Sequence, residues 1–296
     1  MNAVALALSV LASVPLGAPL DTAGFQYART LTAAPPGLAA VRLDAAVLAH
    51  SAGLADLRIA DGEGRQVPYL RVPDGEPLRL QLLPLSPLDD PAARRAPSPS
   101  RYRIVLPWAT LPAARLVLAT PERVFSRDVR LLRPLPPEGR RGRGGSGETL
   151  AVESWSHADP DAPAPELDLD LPAGAGAELE LLVYDADNAP LPLASPRLEI
   201  STARLLFYVP AGAAGRKLRL LYGKPGLAEP RYDLTLLASR LEPATSRPVR
   251  LGEERTIGRT DRLWPSSGAL FWSALVAATL ALLLVLARLL RPAAQA

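Results

Sequence analysis

Cysteine is absent from the chain. No disulfide can staple the fold, no thiolate can serve as nucleophile or metal ligand, and lipoprotein processing at a cysteine is excluded. Histidine is scarce: His50 and His157 are the only two, so a zinc site would need both plus carboxylates. Lysine occurs only at positions 217 and 224, and the remaining basic residues are arginine. With abundant Ala and Pro, this composition fits a bacterium with a GC-rich genome. The formal net charge is only +3, and acidic and basic groups are mixed along the chain, which argues against a nucleic-acid partner. No phosphate-binding loop, dinucleotide fingerprint or nucleophile-elbow serine motif occurs. Gly144-Gly-Ser-Gly147 lies in an Arg- and Gly-rich stretch where nothing holds the serine against a base. No catalytic constellation and no cofactor are expected.

What the chain does have is an apolar run near its end. Residues 268–287 carry no charged side chain. At 1.5 Å rise per residue they make about 30 Å of helix, the thickness of a hydrocarbon core. Ser273 and Thr279 are the polar side chains within it, and either can return its hydroxyl to a carbonyl one turn back. Trp264 and Trp272 lie toward its N-terminal end, where indoles favour the headgroup layer, and Arg288 and Arg291 follow it. These four residues are expected to anchor a single transmembrane helix, with residues 288–296 as a cytoplasmic tail. Arg255, Arg259 and Arg262 flank the other side, so the N-terminus must decide the orientation.

Residues 1–23 read as an export signal, with an apolar core, no Lys or Arg before it, and an indistinct cleavage site at Ala18 or Ala23. The expected location is a bacterial inner membrane, single-pass, with the bulk of the chain in the periplasm and the C-terminus cytoplasmic.

The middle of the chain shows little helical periodicity. Short alternating runs dominate, broken by Pro and Gly about every eight to twelve residues, which is the pattern of an all-β sandwich. In the first part, strands are expected at residues 25–31, 40–44, 57–60, 66–72 and 78–83. Asp61-Gly-Glu-Gly64 is a hairpin turn signal, Pro68 points to an edge or bulge, and residues 45–50 suit a short helical turn. The four prolines of residues 86–100 suggest an exposed linker. Nine further strands are expected between residues 101 and 222, enough for a jelly roll. Residues 134–148, with Arg140-Arg-Gly-Arg-Gly-Gly, read as a solvated loop that could alternatively touch phosphate or anionic lipid. The expected layout is an N-terminal β module at 24–86, a Pro-rich linker at 87–100, a jelly-roll β-sandwich at 101–240 and a juxtamembrane stalk at 241–267.

Several pieces carry a family resemblance. Tyr184-Asp-Ala-Asp-Asn-Ala-Pro-Leu-Pro-Leu193, with Leu205-Leu-Phe, Leu221-Tyr-Gly-Lys-Pro and Pro230-Arg-Tyr-Asp-Leu234, resembles the bacterial envelope family known as domain of unknown function 3999. Phe25-Gln-Tyr-Ala-Arg, Val41-Arg-Leu-Asp, Ala55-Asp-Leu-Arg-Ile-Ala-Asp, Val67-Pro-Tyr and Phe125-Ser-Arg-Asp-Val agree with it. So does the order of signal, β domains and one C-terminal helix, although this chain is short for the family. The resemblance implies a membrane-anchored periplasmic protein whose central part is a galactose-binding-like, discoidin-type sandwich. It implies no ligand. By analogy with the family, a multi-spanning membrane protein would be its companion.

The best small cluster is Asp185, Asp187 and Asn188. Three oxygen-bearing side chains at a strand end could ligate Ca²⁺, but the spacing lacks the glycine and bidentate Glu of an EF-hand, and the favoured reading is a capped turn before Pro190. Trp155 and His157, followed by Asp159 and Asp161, together with Tyr184, could suit a sugar stacked on the indole; a plain surface loop is the simpler reading. The leading expectation is therefore a non-enzymatic protein that binds a partner or envelope component. A carbohydrate-binding module is the alternative, and would gather Trp108, Trp155 and Tyr184 on one exposed face. A glycan-directed hydrolase comes third and would need two carboxylates facing each other across a cleft.

Overall fold

Period-two alternation becomes strands almost throughout the computed structural model, which describes residues 17–32, 36–88, 99–135, 147–209 and 217–257, together with Leu275 and Thr279. The first group is β1 (Tyr27–Leu31), β2 (Gly37–Arg42), helix α1 (Ala45–His50), β3 (Arg58–Ala60) and β4 (Tyr69–Pro73). The second group is β5 (Leu78–Gln81), β6 (Ser86–Pro87), β7 (Ser100–Val105), β8 (Ala114–Leu118), β9 (Phe125–Pro134), β10 (Gly147–His157), β11 (Leu167–Leu171), β12 (Glu178–Tyr184) and β13 (Arg197–Ile200). The third is β14 (Ala203–Val209), β15 (Arg219–Tyr222), a 3-10 turn (Asp233–Leu237), helix α2 (Ala238–Leu241), β16 (Arg247–Val249) and β17 (Leu251–Thr256).

Four sheets result. Their strand orders are β17-β1-β15-β3, β16-β2-β14-β4, β11-β8-β13-β5 and β10-β9-β12-β7-β6. The first two combine the first and third groups of strands; the last two hold the second group alone. All pairs whose register is defined are antiparallel except β16 with β2.

This pairing departs from the sequential layout expected from the sequence. Residues 24–86 do not form a module by themselves: β5 pairs with β13 and β6 with β7, while β1 to β4 take their strand partners from residue 203 onward. Nor do residues 101–240 form one sandwich, because β14 and β15 return to the first group. Alternation reports which face of a strand is buried, not which strand it pairs with. The stalk expected at 241–267 is also corrected in part. Arg247–Val249 and Leu251–Thr256 are edge strands of two sheets, and the apolar positions Val249 and Leu251 pack against the core.

Inward-facing residues of all four sheets join one apolar core. Leu31, Ile59 and Tyr222 share it with Val41, Leu205 and Phe207, and Leu116, Leu169 and Leu198 share it with Val129, Leu131 and Leu181. The sheet built around β2 and β14 is covered on both faces. Ala40, Leu70, Val72 and Leu206 point away from the main core and pack under Leu234 and Leu241 of the 3-10 turn and α2. That is why β14 reads as a nearly continuous apolar run. Asp44 caps α1 by accepting from the Val47 amide at 3.2 Å and also pairs with Arg29.

Among the described residues no helix is long and apolar enough to cross a membrane. The span expected at 268–287 lies outside them except for Leu275 and Thr279. These two are helical, and the Thr279 hydroxyl donates to the Leu275 carbonyl at 2.8 Å. Trp264, Trp272, Arg288, Arg291 and residues 1–16 also lie outside the described residues.

Leu181 is fully buried in the five-stranded sheet. Leu181→Ala is expected to lower stability by about 2–5 kcal/mol in urea unfolding followed by far-UV circular dichroism.

Candidate functional site

The residues singled out in the sequence converge on one end of the five-stranded sheet. Tyr184 in β12 pairs with Asp128 in β9, and Asp128 pairs with Ser154 in β10. One residue further, Arg127 pairs with Trp155, and His157 pairs with Phe125. Strand alternation then divides them between the two faces of the sheet.

Asp185 goes inward. Its carboxylate is buried and accepts from Arg127 Nε at 2.9 Å, the Leu191 amide at 3.2 Å and the Ser100 hydroxyl at 2.5 Å. Its carbonyl accepts from both the amide and the side chain of Asn188 at 3.0 Å, and Ala186 sits at φ 52° inside this turn. Arg127 is equally buried and donates further to the carbonyls of Ser126 and Ala189. A Ca²⁺ ion at Asp185 would have to displace this guanidinium, because both carboxylate oxygens are engaged. Asp187 and Asn188 lie exposed on the turn. The arrangement is that of a pinned turn rather than a cation site. Among the described residues no group of three or more His, Asp or Glu is placed to hold a metal ion.

Trp155 is also buried. Its indole N–H donates to the Pro165 carbonyl at 2.9 Å and its ring meets Phe125 edge-on at 5.1 Å. It therefore offers no surface for a sugar. His157 Nδ1 donates to the Arg123 carbonyl, and Asp159 accepts from the Asp161 amide at 2.9 Å. Tyr184 is on the outer face, half-buried, with the Arg130 guanidinium 5.1 Å from its ring centroid. Trp108 is partly buried against the core. The three aromatics required by a carbohydrate-binding face are thus not gathered on one exposed surface. His50, in the other pair of sheets, stacks on Tyr27 at 4.2 Å with Nδ1 3.1 Å from Glu254.

A different place is concave. A cavity of about 580 Å³ opens between the segment before β1, the Arg65–Pro68 stretch, the turn after β15 and the 3-10 turn. Its first wall is made by residues 17–20, which belong to the stretch expected as an export signal but lie here as an added strand of the fold: Gly17 donates to Gln66, Gln66 to Ala18 and Leu20 to Gly64. Gly17 approaches so closely that a Cβ there would meet Gln66 Cβ at 2.7 Å. The opposite wall is the Gly223-Lys224-Pro225 turn. Gly223 has φ 78°, and a Cβ on it would meet the Tyr27 ring at 2.6 Å, so only glycine fits. Lys224 donates its amide to Asp56 at 2.7 Å and holds its ammonium 5.1 Å from the Phe25 ring centroid.

Arg58 forms part of the lining and is only 6% exposed. Its Nη1 donates to the carbonyls of Ala55 and Leu57 and its Nη2 to that of Ala228. Among the described residues no carboxylate pairs with it. The neighbouring phenols do not supply negative charge either. Burial, with the neighbouring Tyr232 adding to it, holds Tyr69 well above the usual phenol range, although Arg58 pulls the other way. Tyr232 is pushed up to about 12 by burial, again against the pull of Arg58, and donates its hydroxyl to Gln66 at 2.9 Å. Sequence reasoning missed this place. The one available signal was Lys224, one of two lysines in an arginine-rich chain and held in a Gly-Lys-Pro turn.

No family model and no curated protein matches the chain. One solved structure does, at low similarity: a mutant VP2 protein of infectious bursal disease virus, from derived T=1 particles, with 9% identity and a TM-score of 0.14. The match covers 85% of this chain and 46% of the capsid protein, so the chain spans just under half the length of that protein.

Two outcomes are expected. Asp185→Ala leaves Arg127 buried without its counter-charge and should cost about 3–5 kcal/mol in chemical unfolding, with EDTA leaving the wild-type midpoint unchanged. Tyr69, Tyr222 and Tyr232 have folded pKa values raised above their unfolded values, Tyr222 by burial and by its bond to Glu254. Their contribution to stability is then complete below pH of about 10 and lost as pH rises beyond it, because only the unfolded chain releases these protons. Unfolding midpoints measured across that range should fall, and Tyr222→Phe should make the fall shallower.

Proposed function

We propose that this chain is a membrane-anchored, extracytoplasmic member of the family known as domain of unknown function 3999, and that it works by binding an envelope protein rather than by catalysis. Its second group of nine strands suits a galactose-binding-like jelly roll, and its apolar C-terminal run suits an anchor. The observation that carries the binding role is β10. It spans Gly147–His157, eleven residues, and is an edge of the five-stranded sheet. Among the described residues its backbone pairs only with β9, and Val152 on it is 54% exposed.

The other sheet edges are less available. Among the described residues each is shorter: β17 has six residues, β4 and β11 have five, β5 has four, β3 and β16 have three and β6 has two, and β4 also ends on Pro73. A long edge presents a row of unused N–H and C=O groups, which an extended segment of a partner can pair with. The anchor would add to this contact. Confinement to a membrane surface raises the effective concentration of a co-resident partner, so a modest edge contact suffices.

Site-specific photocrosslinking in intact membranes tests this reading. A photoreactive residue at Val152 should yield a discrete crosslinked protein, whereas one at Leu236, 83% exposed on the 3-10 turn, should not. Equal labelling at both positions, or none at Val152, removes the edge as the contact. In spheroplasts, added protease should cut within residues 24–262 while a cytoplasmic control stays intact; protection of both would overturn the topology.

A further inference from the structure

The cavity beside β3 carries positive charge that no ion pair among the described residues offsets. Arg58, Lys224 and Arg231 line it against Asp21 and Asp233. Asp21 is exposed and turned to the Ala23 amide at 2.9 Å, and Asp233 is exposed at the start of the 3-10 turn. Among the described residues none of these five groups forms an ion pair.

Arg58 is the decisive member. A guanidinium stays charged at every pH a protein meets, and burying one without a counter-ion is costly. Here it meets three neutral carbonyls, which orient it and offset part of that cost, and two phenols that remain protonated. Its Nε–H and second Nη2–H form no hydrogen bond among the described residues. The Lys224 ammonium likewise has no acceptor among them; it rests near the Phe25 ring while its backbone is tied to Asp56. The Arg58 guanidinium is thus held in place by three carbonyls, and the Lys224 side chain starts from a tethered backbone and lies beside it in the same lining. Phe25, Leu20 and Leu227 supply an apolar wall beside them.

We propose that this cavity binds a small ligand that presents an oxyanion, carboxylate or phosphate, on an apolar body, with Arg58 and Lys224 as its principal charge partners and Arg231 at the mouth. A planar guanidinium favours two-point contact with either oxyanion, and the volume suits a ligand of small-molecule size. The site goes beyond the strand-addition role and does not depend on it, since β10 belongs to the other pair of sheets.

Isothermal titration of the full-length protein in detergent with benzoate, phenyl phosphate and benzyl alcohol tests the assignment. Benzoate or phenyl phosphate should bind saturably at one site, the tighter of the two identifying the oxyanion, with benzyl alcohol at least about tenfold weaker. Lys224→Gln should weaken the anion by about tenfold, and Arg231→Gln by less, with ligand-free unfolding midpoints unchanged. Arg58→Gln reaches into the core, so these two variants carry the test. Equal affinity for benzyl alcohol, no binding of either anion at millimolar concentration, or unchanged affinity in Lys224→Gln would overturn the site.

Discussion

Antiparallel pairing of β14 with β2 and β4, and of β15 with β1 and β3, ties the beginning of the chain to a segment more than a hundred residues later. Among the named strands, β1 to β4 pair only with strands of the third group. Their buried residues, such as Val41 and Ile59, reach the core only when β14 and β15 are in place. The nine strands between are therefore an insertion carried between β4 and β14. Hydrogen-bonded ladders between distant segments cost loop-closure entropy, but that cost grows only slowly with the length enclosed.

Two buried arginines show contrasting solutions to the same electrostatic problem. Arg127 has its carboxylate, Asp185, and the pair locks three strand ends and a turn together. Breaking such a pair leaves one uncompensated buried charge, so losing one partner costs more than the intact pair contributes. Among the described residues Arg58 has only carbonyl acceptors, and it lines an open cavity. The first closes an end of a sheet against solvent. The second leaves a charge that no carboxylate among the described residues pairs with.

Much of the local structure was legible in the sequence. Leu167-Asp-Leu-Asp-Leu is β11 with its leucines inward and its aspartates outward, and Asp61-Gly-Glu-Gly64 makes the expected turn, with Asp61 accepting from the amides of Glu63 and Arg65. Residues 45–50 form the short helix. Partner choice was not legible, because period two is the same whether a strand pairs with its neighbour or with one far along the chain. The Arg247–Val249 strand was hidden by Pro248, which reads as a breaker yet is tolerated on an edge. Trp155 misled for another reason: the Trp-Ser-His sequence looks like a loop, but its ring is covered by the Pro165 segment and Phe125, which local pattern does not foresee. Arg58 lies in an apolar run, Leu57-Arg-Ile-Ala, where alternation would turn it to solvent; instead it is held in by carbonyls contributed from residues 55, 57 and 228.

The split ownership of the first pair of sheets bears on the order in which the chain acquires structure. As it emerges N-terminus first, β2 and β4 have no strand to ladder with until residue 209 has been made, and β1 and β3 none until residue 222, whereas β5 to β13 hold a complete set of mutual partners. The inserted sheets can thus condense early, and the opening strands wait with their amides bare. A ribosome-bound or translocating intermediate of this kind is slow to mature and vulnerable to mispairing, and it would favour a holdase that shields extended chain.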